Sequence, residues 1–528
     1  MLRSTFAGFM TAQQALTASQ RSLDVTGQNI SNINTTGYTR QRLDLASIST
    51  TGASYSNMAN NSKVGQGVQM TGVTQIRDPF LDIQYRDHLA QVGTIDAQNT
   101  ILSDIGQIFD EVDMEGFRNA LNDVVTQLQN MQSQDNVNQG ASDTLVRSSM
   151  EVLLTILREK SVEVDRVRSD LITKLESTDI GNINGYLQSI AELNKSIRNS
   201  QVLGSPALEL MDQRNQLIDE LATYLPIDVT YYDVNLGGDY KVDALKITFT
   251  DTDGNTYTLI DDDQAGEVRL NADNPSQVTF GIRDVNGKET NDLTDVLGEG
   301  VLKGALDMLN KSGDFDNPVT DVRGIGYYKQ TLDNLVDVFA KKFNELNRQP
   351  KLDANGQIET DPITGEIVYQ DPPTPLFETS DGSGTFTAEN IRIAEGWLNG
   401  DYGIVTTVVP GPNGEYSSTA NDNVLNMINA MEEDQKFAHF TGSFFEAYDN
   451  IQNTQAVDQK SSNSILSNRV AVMNQIADSK DSVAGVYLDE EVMNLMKYQQ
   501  SYNAAARLMT TLDEALDTLI NNTGVVGR

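Results

Sequence analysis

Residues that could carry catalysis or bind a metal are few and scattered in this sequence. The 528 residues include no cysteine, which excludes disulfides and thiolate metal sites. Of the two histidines, His88 lies in a helix-like stretch and His439 lies in an apolar one. Neither belongs to the His-Glu-x-x-His arrangement of zinc proteases, and the sequence contains neither a phosphate-binding loop nor a Gly-x-Ser-x-Gly turn. Since carboxylates are too abundant for any pair to stand out, we predict no catalytic residue and no enzyme.

Two loops resemble known binding loops but lack required positions. Asp251–Asn255 begins like a calcium loop, but its third ligand position and the terminal glutamate do not fit. Because it lies between two strand-like stretches, we interpret it as a hairpin turn. Gly65 and Gly67 do not make a dinucleotide-binding fingerprint, because Met70 stands in place of the third glycine. We therefore expect no metal and no cofactor.

The net charge of −37 argues against nucleic acid and anionic membranes as partners. The charge is concentrated in the middle, because residues 1–75 carry +3, residues 481–528 carry −4, and the rest carries −36. Nearly neutral ends can pack against copies of themselves, whereas an acidic middle stays solvated; the alternative is that the surface is simply acidic. No apolar run approaches the roughly 18 residues of a membrane helix, so we expect no membrane insertion. The first residues also lack the pattern of a cleaved secretory signal.

Both ends of the chain show the heptad spacing of coiled-coil helices, with apolar residues at alternating intervals of four and three. The large apolar positions of the N-terminal helix are Leu2, Phe6, Phe9, Leu16, Leu23 and Ile30. Those of the C-terminal helix are Leu488, Val492, Leu495, Tyr502, Met509, Leu512, Leu516 and Ile520. The many Thr, Ser and Gly residues make the first helix weak in isolation, so it needs a partner surface. We predict that these positions form an assembly seam, for which the C-terminal helix supplies part of the partner surface.

The middle of the chain alternates between helix-like and strand-like segments. Apolar residues recur at helical spacing over Ile76–Leu128, Ala141–Ile180, Gly185–Thr223, Val301–Leu346 and from Asn423 onward. An alternating, strand-like pattern with Asp/Asn-Gly turns begins near Ile227 and again near Gln349. The predicted fold class is mainly α with inserted β domains, in an elongated, nested chain of several domains whose terminal helices pair as a coiled coil.

The predicted domains are nested because helical segments from both halves of the chain must meet. Residues 1–75 and 481–528 form a terminal coiled-coil assembly domain. Residues 76–228, 296–349 and 421–480 form a helical rod. Residues 229–295 and 350–420 form β-rich insertions that face outward.

A polar segment ends the first helix and is the most informative stretch of the sequence. Asn, Ser and Thr compete with the backbone for hydrogen bonds and build turns, and Gly37 can take a positive φ. The motif positions are Asn29, Asn32, Asn34, Thr35, Gly37 and Tyr38. With the helix before it, this segment resembles the N-terminal signature of the flagellar rod, hook and hook-associated proteins, although Thr36 stands where this family commonly has proline. Residues 488–507 resemble their C-terminal signature. Leu210–Leu221 and Gly300–Leu306 narrow the resemblance to a member at the junction of hook and filament.

The resemblance implies a structural subunit of the bacterial flagellum, outside the cell, at the hook–filament junction. Its paired terminal helices would form an inner layer, a helical rod would surround it, and a β domain would face outward. The implied partners are copies of the same chain, the hook protein, hook-associated protein 3, and a cytoplasmic export chaperone at the C-terminal helix. Export would use the flagellar type III channel without a cleaved signal peptide. The alternatives are another axial protein, namely the hook protein or hook-associated protein 3, and a junction protein whose unmatched insertions add an adhesive or enzymatic function.

Overall fold

Long helices dominate the fold, and β-structure is inserted between them. The computed structural model describes residues 5–48, 67–110, 116–133, 140–237, 240–274 and 276–522. The helices are α1 (Thr5–Ser31), α2 (Pro79–Phe109), α3 (Phe117–Gln132), α4 (Gly140–Lys174), α5 (Ile180–Val202), α6 (Leu208–Tyr224), α7 (Val301–Asn310), α8 (Ile325–Leu346), α9 (Glu395–Asn399), α10 (Asp422–Glu432), α11 (Phe444–Ala484) and α12 (Leu488–Asp517). The predicted class, mainly α with inserted β-structure, is confirmed.

The strands pair antiparallel in small sheets. They are β1 (Gln41–Ser47), β2 (Val68–Gln75), β3 (Asp228–Gly237), β4 (Tyr240–Thr250), β5 (Thr256–Asp261), β6 (Gln264–Ala265), β7 (Glu267–Asn271), β8 (Thr279–Arg283), β9 (Glu289–Thr290), β10 (Phe377–Thr379), β11 (Ile391–Ile393), β12 (Gln435–Lys436) and β13 (Thr441–Gly442). β1 and β2 form a two-stranded ribbon, β3 to β6 a four-stranded sheet, and β7 to β9 a three-stranded sheet, each in chain order. The sheets β3–β6 and β7–β9 lie in the first predicted insertion.

The helical body is built on α2 and α11, which pack side by side and run in opposite directions. Gln455 donates to the carbonyl of Leu102 (2.7 Å), and Lys480 forms an ion pair with Asp82 (3.3 Å) near the other end of α2. A capping box starts α11, in which Ser443 and Glu446 satisfy each other's backbone N–H groups. Where one helix was predicted over Ile76–Leu128, the structure has two, because α2 ends at Phe109 and α3 begins at Phe117.

The first insertion follows its predicted alternation. Leu245, Ile247 and Phe249 of β4 are fully buried, and Lys246 between the first two is not. The predicted hairpin turn at Asp251–Asn255 is confirmed, since β4 and β5 pair on either side of it. The Asp251 carboxylate accepts the backbone N–H of residue 255 (2.7 Å), as expected for a turn that closes on itself.

The second insertion contains less β-structure than predicted. Within residues 350–420 the described strands are β10 and β11, each three residues long, with isolated bridges elsewhere. The segment is held instead by burial against the rod. Trp397 is 0% exposed, its indole N–H donates to the Asp143 carboxylate of α4 (3.0 Å), and Arg147 donates to its carbonyl (2.6 Å). The Asp/Asn-Gly turns of this segment led to the prediction of strands. The conformation of the segment is instead fixed by contacts with α4, more than 200 residues earlier in the chain.

We expect the Trp397–Asp143 contact to hold this segment on the rod. Trp397→Phe keeps a buried ring but removes the N–H donor, leaving the carboxylate short of one partner. Hydrogen bonds to charged groups contribute about 1.5–3 kcal/mol, so the urea midpoint, followed by far-UV circular dichroism, should fall accordingly. The control is Leu398→Ala at an exposed neighbour, for which about 0.5 kcal/mol or less is expected. Equal midpoints for the two variants would contradict the role of this hydrogen bond.

Candidate assembly site at the junction of the terminal helices and the rod

The two terminal helices pack against each other in an antiparallel arrangement. Gly8 of α1 lies beside the side chain of Leu512 in α12. At the other end of the pair, the Asn29 amide donates to the Glu491 carboxylate (3.2 Å). These two contacts, both between residues whose numbers sum to 520, fix the register of the pair.

The contact face of α1 consists of small and polar residues at heptad spacing. Its members are Gly8, Ala12, Ala15, Ser19, Ser22, Thr26 and Asn29. The buried hydroxyls of Ser19 and Ser22 donate to the carbonyls of Ala15 (2.8 Å) and Ala18 (2.9 Å), so the face contains its own hydrogen-bond partners. In this register the facing residues of α12 are Glu491, Leu495, Tyr498, Tyr502, Ala505, Met509 and Leu512. Large side chains of one helix therefore lie in a groove lined by small residues of the other.

The predicted seam residues fall into several groups. Leu2 lies outside the described residues, and so does the side chain of Phe6. Phe9, Leu16, Leu23 and Ile30 are half-buried. Each of them directly follows a residue of the contact face of α1, which we call the small-residue face, so the four side chains lie on the flank of the helix beside it. Leu495, Tyr502, Met509 and Leu512 face α1 in this register. Leu516 is half-buried, and its counterpart on the N-terminal side lies outside the described residues. Leu488, Val492 and Ile520 are exposed. The small-residue face was not predicted, because the heptad pattern was assigned from large apolar residues. Ala12 and Ala15 are the residues that could have indicated it. The role of the predicted residues in assembly stays a prediction.

The motif after α1 is organised around the buried side chain of Asn29. Its carbonyl oxygen accepts the Tyr38 hydroxyl (2.9 Å) and the N–H of Gln41 (3.0 Å). Its amide donates to the carbonyl of Gln41 (3.0 Å) as well as to Glu491. All four hydrogen-bonding positions of the amide group are thus used. Asn29 therefore joins the end of α1, the start of β1 and the first turn of α12.

The other motif residues shape the turn itself. Asn32 donates to the carbonyl of Gln28 (3.0 Å) and accepts the Thr35 hydroxyl (3.2 Å). Gly37 has a φ of +76°, which other residues rarely adopt. Asn34 is exposed. Of the six motif positions, Asn29 and Tyr38 thus hold the junction, while Asn32, Thr35 and Gly37 form the turn.

Arg40 links both chain ends to the rod and was not identified from the sequence. Its guanidinium donates to Glu491 (2.8 Å) and to Glu490 (2.7 Å). Its backbone N–H donates to the carbonyl of Ala484, the last residue of α11 (2.8 Å), and its carbonyl accepts the N–H of Ile76 (2.9 Å). Glu491 is only 1% exposed, so its charge depends on these partners.

Helix α6 is the part of the rod that contacts this junction. The buried Asp212 carboxylate accepts the backbone N–H of Thr39 (3.1 Å) and the Gln75 amide (2.9 Å). Burial raises the pKa of Asp212, and the hydrogen bond from Thr39 opposes that rise. The hydroxyl of Tyr231 in β3 donates to Asn215 (2.9 Å), so the same helix also binds the first insertion.

A second group of charges joins α6 to α2 and α11. Asp219 accepts from Arg86 of α2 (2.7 Å) and from Lys480 of α11 (2.9 Å). Lys480 also reaches Asp82, which is paired with Arg77 (2.9 Å). Burial alone would lower the pKa of Arg86, but the Asp219 carboxylate keeps that pKa above its ordinary value. We call Asn29, Tyr38, Arg40, Asp212, Asp219, Lys480 and Glu491 the junction network. Four of its residues, namely Tyr38, Asp212, Asp219 and Lys480, line a cleft of about 850 Å³ between the motif turn, α2, α6 and α11.

The remaining chemical candidates do not come together in the described part of the chain. His88 lies half-buried in α2, and His439 is exposed with its ring edge against Phe315 (4.5 Å between centroids). Within the described ranges, His, Asp and Glu side chains form no group of three suited to a metal ion. Among the same residues, no helix has the length and apolar content needed to cross a membrane.

The buried ion pair of Arg40 and Glu491 yields a direct prediction. Arg40→Met leaves the Glu491 carboxylate buried without its cation, a change that typically costs about 3–5 kcal/mol. The amide of Gln41, which donates to Asn29, should then exchange with solvent at least about a hundredfold faster. The control is Arg21→Met, because Arg21 and Asp24 form an exposed pair at 3.9 Å and little change is expected. Equal exchange in both variants would mean that the ion pair does not hold the junction.

Comparison with known proteins agrees with this arrangement of ends and rod. The family model for the helical domain of the flagellar hook-associated protein FlgK matches residues 102–361 of this chain. The model of the flagella basal body rod protein matches residues 9–39, and that of the C-terminal part of flagellar basal body rod FlgEFG proteins matches residues 482–522. The first of these end matches contains the motif turn, and the second contains Glu491.

Relatives and a solved structure match over most of the chain. The flagellar hook-associated protein 1 of Bacillus subtilis is 28% identical over 538 residues and covers 100% of both chains. That of Escherichia coli is 25% identical and covers 97% of this chain and 98% of its own. The flagellar hook junction protein FlgK from Burkholderia pseudomallei has the same fold, with a TM-score of 0.54 over 76% of this chain and 100% of its own, at 13% identity. The chain belongs to the flagellar hook-associated protein 1 family, within the axial proteins that build the rod, hook and junctions of the flagellum.

Proposed function

We propose that this chain is a structural subunit that assembles with copies of itself at the junction between flagellar hook and filament. The observation that carries the proposal is the junction network, which joins the two chain ends into one helix pair and attaches that pair to the rod. A subunit that transmits load between two polymers needs such an attachment, since the pair and the rod must move together. The match to full-length relatives named flagellar hook-associated protein 1 supports the location.

Each part of the chain has a role in this proposal. The terminal segments, residues 1–75 and 481–528, provide the subunit contacts, and the rod carries them. The partners are the hook protein on one side and hook-associated protein 3 on the other. The subunit performs no catalysis.

Export and delivery form a further part of the proposal. The chain leaves the cytoplasm through the flagellar type III system without a cleaved signal peptide. A cytoplasmic chaperone holds the C-terminal helix before export. The exposed apolar side chains of Leu488, Val492, Met493 and Met496 on α12 support this role, because an unassembled subunit must keep such a surface covered.

The proposed function is tested in a strain that lacks the gene. We expect its cells to build hooks and to release flagellin into the medium, because filaments cannot be retained without the junction subunit. The wild-type gene should restore filaments. Leu495→Asp should not, since it places a carboxylate in the face that packs on α1, at a cost of several kcal/mol.

Gln500→Asp is the matched control, because Gln500 is exposed and lies five residues away on the same helix. Filaments counted by electron microscopy and flagellin measured in the medium give the two readouts. Retained filaments in the deletion strain would refute the proposed function. Normal filaments with Leu495→Asp would refute the role of the α1–α12 contact in it.

The tip of the second insertion should be dispensable for assembly. No residue from 353 to 366 is buried, and the backbones of Lys351 and Val368 are hydrogen-bonded (2.8 Å). Replacing residues 353–366 by Asn-Gly would therefore close a two-residue hairpin without disturbing the rod. We expect normal export, normal retention of filaments and an unchanged urea midpoint. Export of a folded variant that fails to retain filaments would show that the tip is part of the joint.

A further inference from the structure

The first insertion has one long, open sheet edge. β3 is the outer strand of the four-stranded sheet and pairs with β4 on one side. Seven consecutive residue pairs, from Asp228–Thr248 to Val234–Val242, form this ladder without a bulge. The opposite edge of the sheet is β6, which is two residues long. Native proteins usually shorten, bend or cover a strand edge, because its unpaired backbone groups can pair with another chain.

The pairing pattern shows which backbone groups of β3 point outward. The N–H of Asp262 donates to the carbonyl of Leu245 (2.9 Å), so Leu245 directs its backbone groups toward β5. Successive residues of an antiparallel strand direct these groups to opposite sides. Tyr231 is paired with Leu245, so Val229, Tyr231 and Asp233 direct theirs away from β4. Within the described residues, these three N–H and three C=O groups bond to no backbone or side-chain group.

Helix α5 covers comparable backbone groups elsewhere in the insertion. The Asn184 amide donates to the carbonyl of Val268 (2.9 Å) and accepts its N–H (2.8 Å), which caps the edge strand β7. Gln201 accepts the backbone N–H of Asp243 (2.9 Å) on the side of β4 that faces β5. In the part of the chain that the structure describes, no helix side chain does the same for β3. Its outer edge is therefore open to an added strand.

The open edge is also held in an extended conformation. The Tyr231 hydroxyl donates to Asn215 of α6 (2.9 Å), and the Arg214 guanidinium lies over the Tyr231 ring at 5.5 Å. Tyr231 is nevertheless 46% exposed, and Tyr232 is 37% exposed. The Val, Thr and Tyr residues of β3 favour strands. An edge that is already ordered loses little conformational entropy when another strand binds.

We propose that the outer edge of β3 binds an extended, basic segment of another protein, which adds a fifth strand to the sheet. Backbone hydrogen bonds to Val229, Tyr231 and Asp233 hold the added strand. The charge around the edge selects this partner, because residues 229–295 contain 14 acidic and five basic residues. A second copy would bring the same acidic surface, whereas Lys and Arg side chains are attracted. The inference concerns the insertion and does not rest on the proposed function.

The test uses the full-length chain and a synthetic peptide. Acetyl-Lys-Thr-Val-Lys-Val-Thr-Lys-amide is basic, favours an extended conformation and has the same side-chain order in both directions. One analogue has Glu in place of each Lys. A second analogue keeps the Lys residues but has methylated backbone N–H groups, so it cannot donate to a strand. Affinities are measured by the fluorescence anisotropy of labelled peptides, and exchange of individual amides is measured by NMR.

We expect the lysine peptide to bind at least about tenfold more tightly than either analogue. In the complex, the amides of Val229, Tyr231 and Asp233 should exchange at least about tenfold more slowly than in the free chain. The amides of Thr230 and Tyr232 should change little, because they are directed toward β4. Protection at alternate residues distinguishes an added strand from attraction between charges.

Asp233→Pro blocks the edge, and Asp233→Asn is its matched control. Proline removes an outward N–H, which takes no part in the ladder with β4, and proline is tolerated in edge strands. Both variants lose the exposed ion pair with Lys241 (3.1 Å), so they differ in the backbone donor. We expect the proline variant to bind the peptide at least about tenfold more weakly. The asparagine variant should lose less than about threefold, since exposed charges contribute little.

Three results would overturn the inference. Equal binding of the lysine peptide and its methylated analogue would mean that charge alone attracts the peptide. Unchanged exchange at Val229, Tyr231 and Asp233 in excess peptide would mean that no strand is added, whether or not the proline variant folds. Protection of the same amides that rises with protein concentration, without peptide, would assign the edge to a second copy. Retention of filaments in cells tests the proposed function separately and does not bear on these outcomes.

Discussion

The placement of both chain ends on the rod depends on one buried charge, the carboxylate of Glu491. A carboxylate that is 1% exposed is stable only with partners, and here these are Arg40 and Asn29. Both partners come from the N-terminal part of the chain, about 450 residues away. The chain ends can therefore bury this group only together. Because Arg40 also binds the backbone of Ala484 and Ile76, pairing of the ends and their attachment to the rod form a single event.

The same contacts explain how the register of the helix pair is fixed. A face made of Gly, Ala, Ser and Thr accepts large side chains at many positions, so it allows sliding by a heptad. Buried ion pairs add little stability over apolar contacts, but a single polar residue in a coiled-coil seam is known to set its register. Asn29 has all four hydrogen-bonding positions occupied in the observed register, and a slip would leave them empty. The polar contacts of Asn29 therefore fix the alignment of the two helices, and the contacts along the rest of the pair follow from that alignment.

Periodicity and motif chemistry predicted much of this fold. The helices, the hairpin at Asp251–Asn255, the pairing of the two ends and the turn at Gly37 all follow from local patterns of residue type. What could not be predicted depends on contacts between distant segments. Arg40, Asp212 and Lys480 look like ordinary surface charges until α6 and α11 are placed beside the motif. Likewise, Trp397 attaches the second insertion to Asp143, and the sequence around Trp397 does not indicate that contact.

The one-position offset between the predicted seam of α1 and its contact with α12 has a physical cause. Heptad analysis weights large apolar residues, since they bury the most surface, yet helices approach most closely where side chains are small. On α1 the two kinds of residue lie on adjacent strips, so a search for large residues finds the strip beside the true contact. Both strips follow the heptad repeat, so periodicity alone does not separate them. The contact with α12 is identified by close approach, as at Gly8, which lies beside the Leu512 side chain.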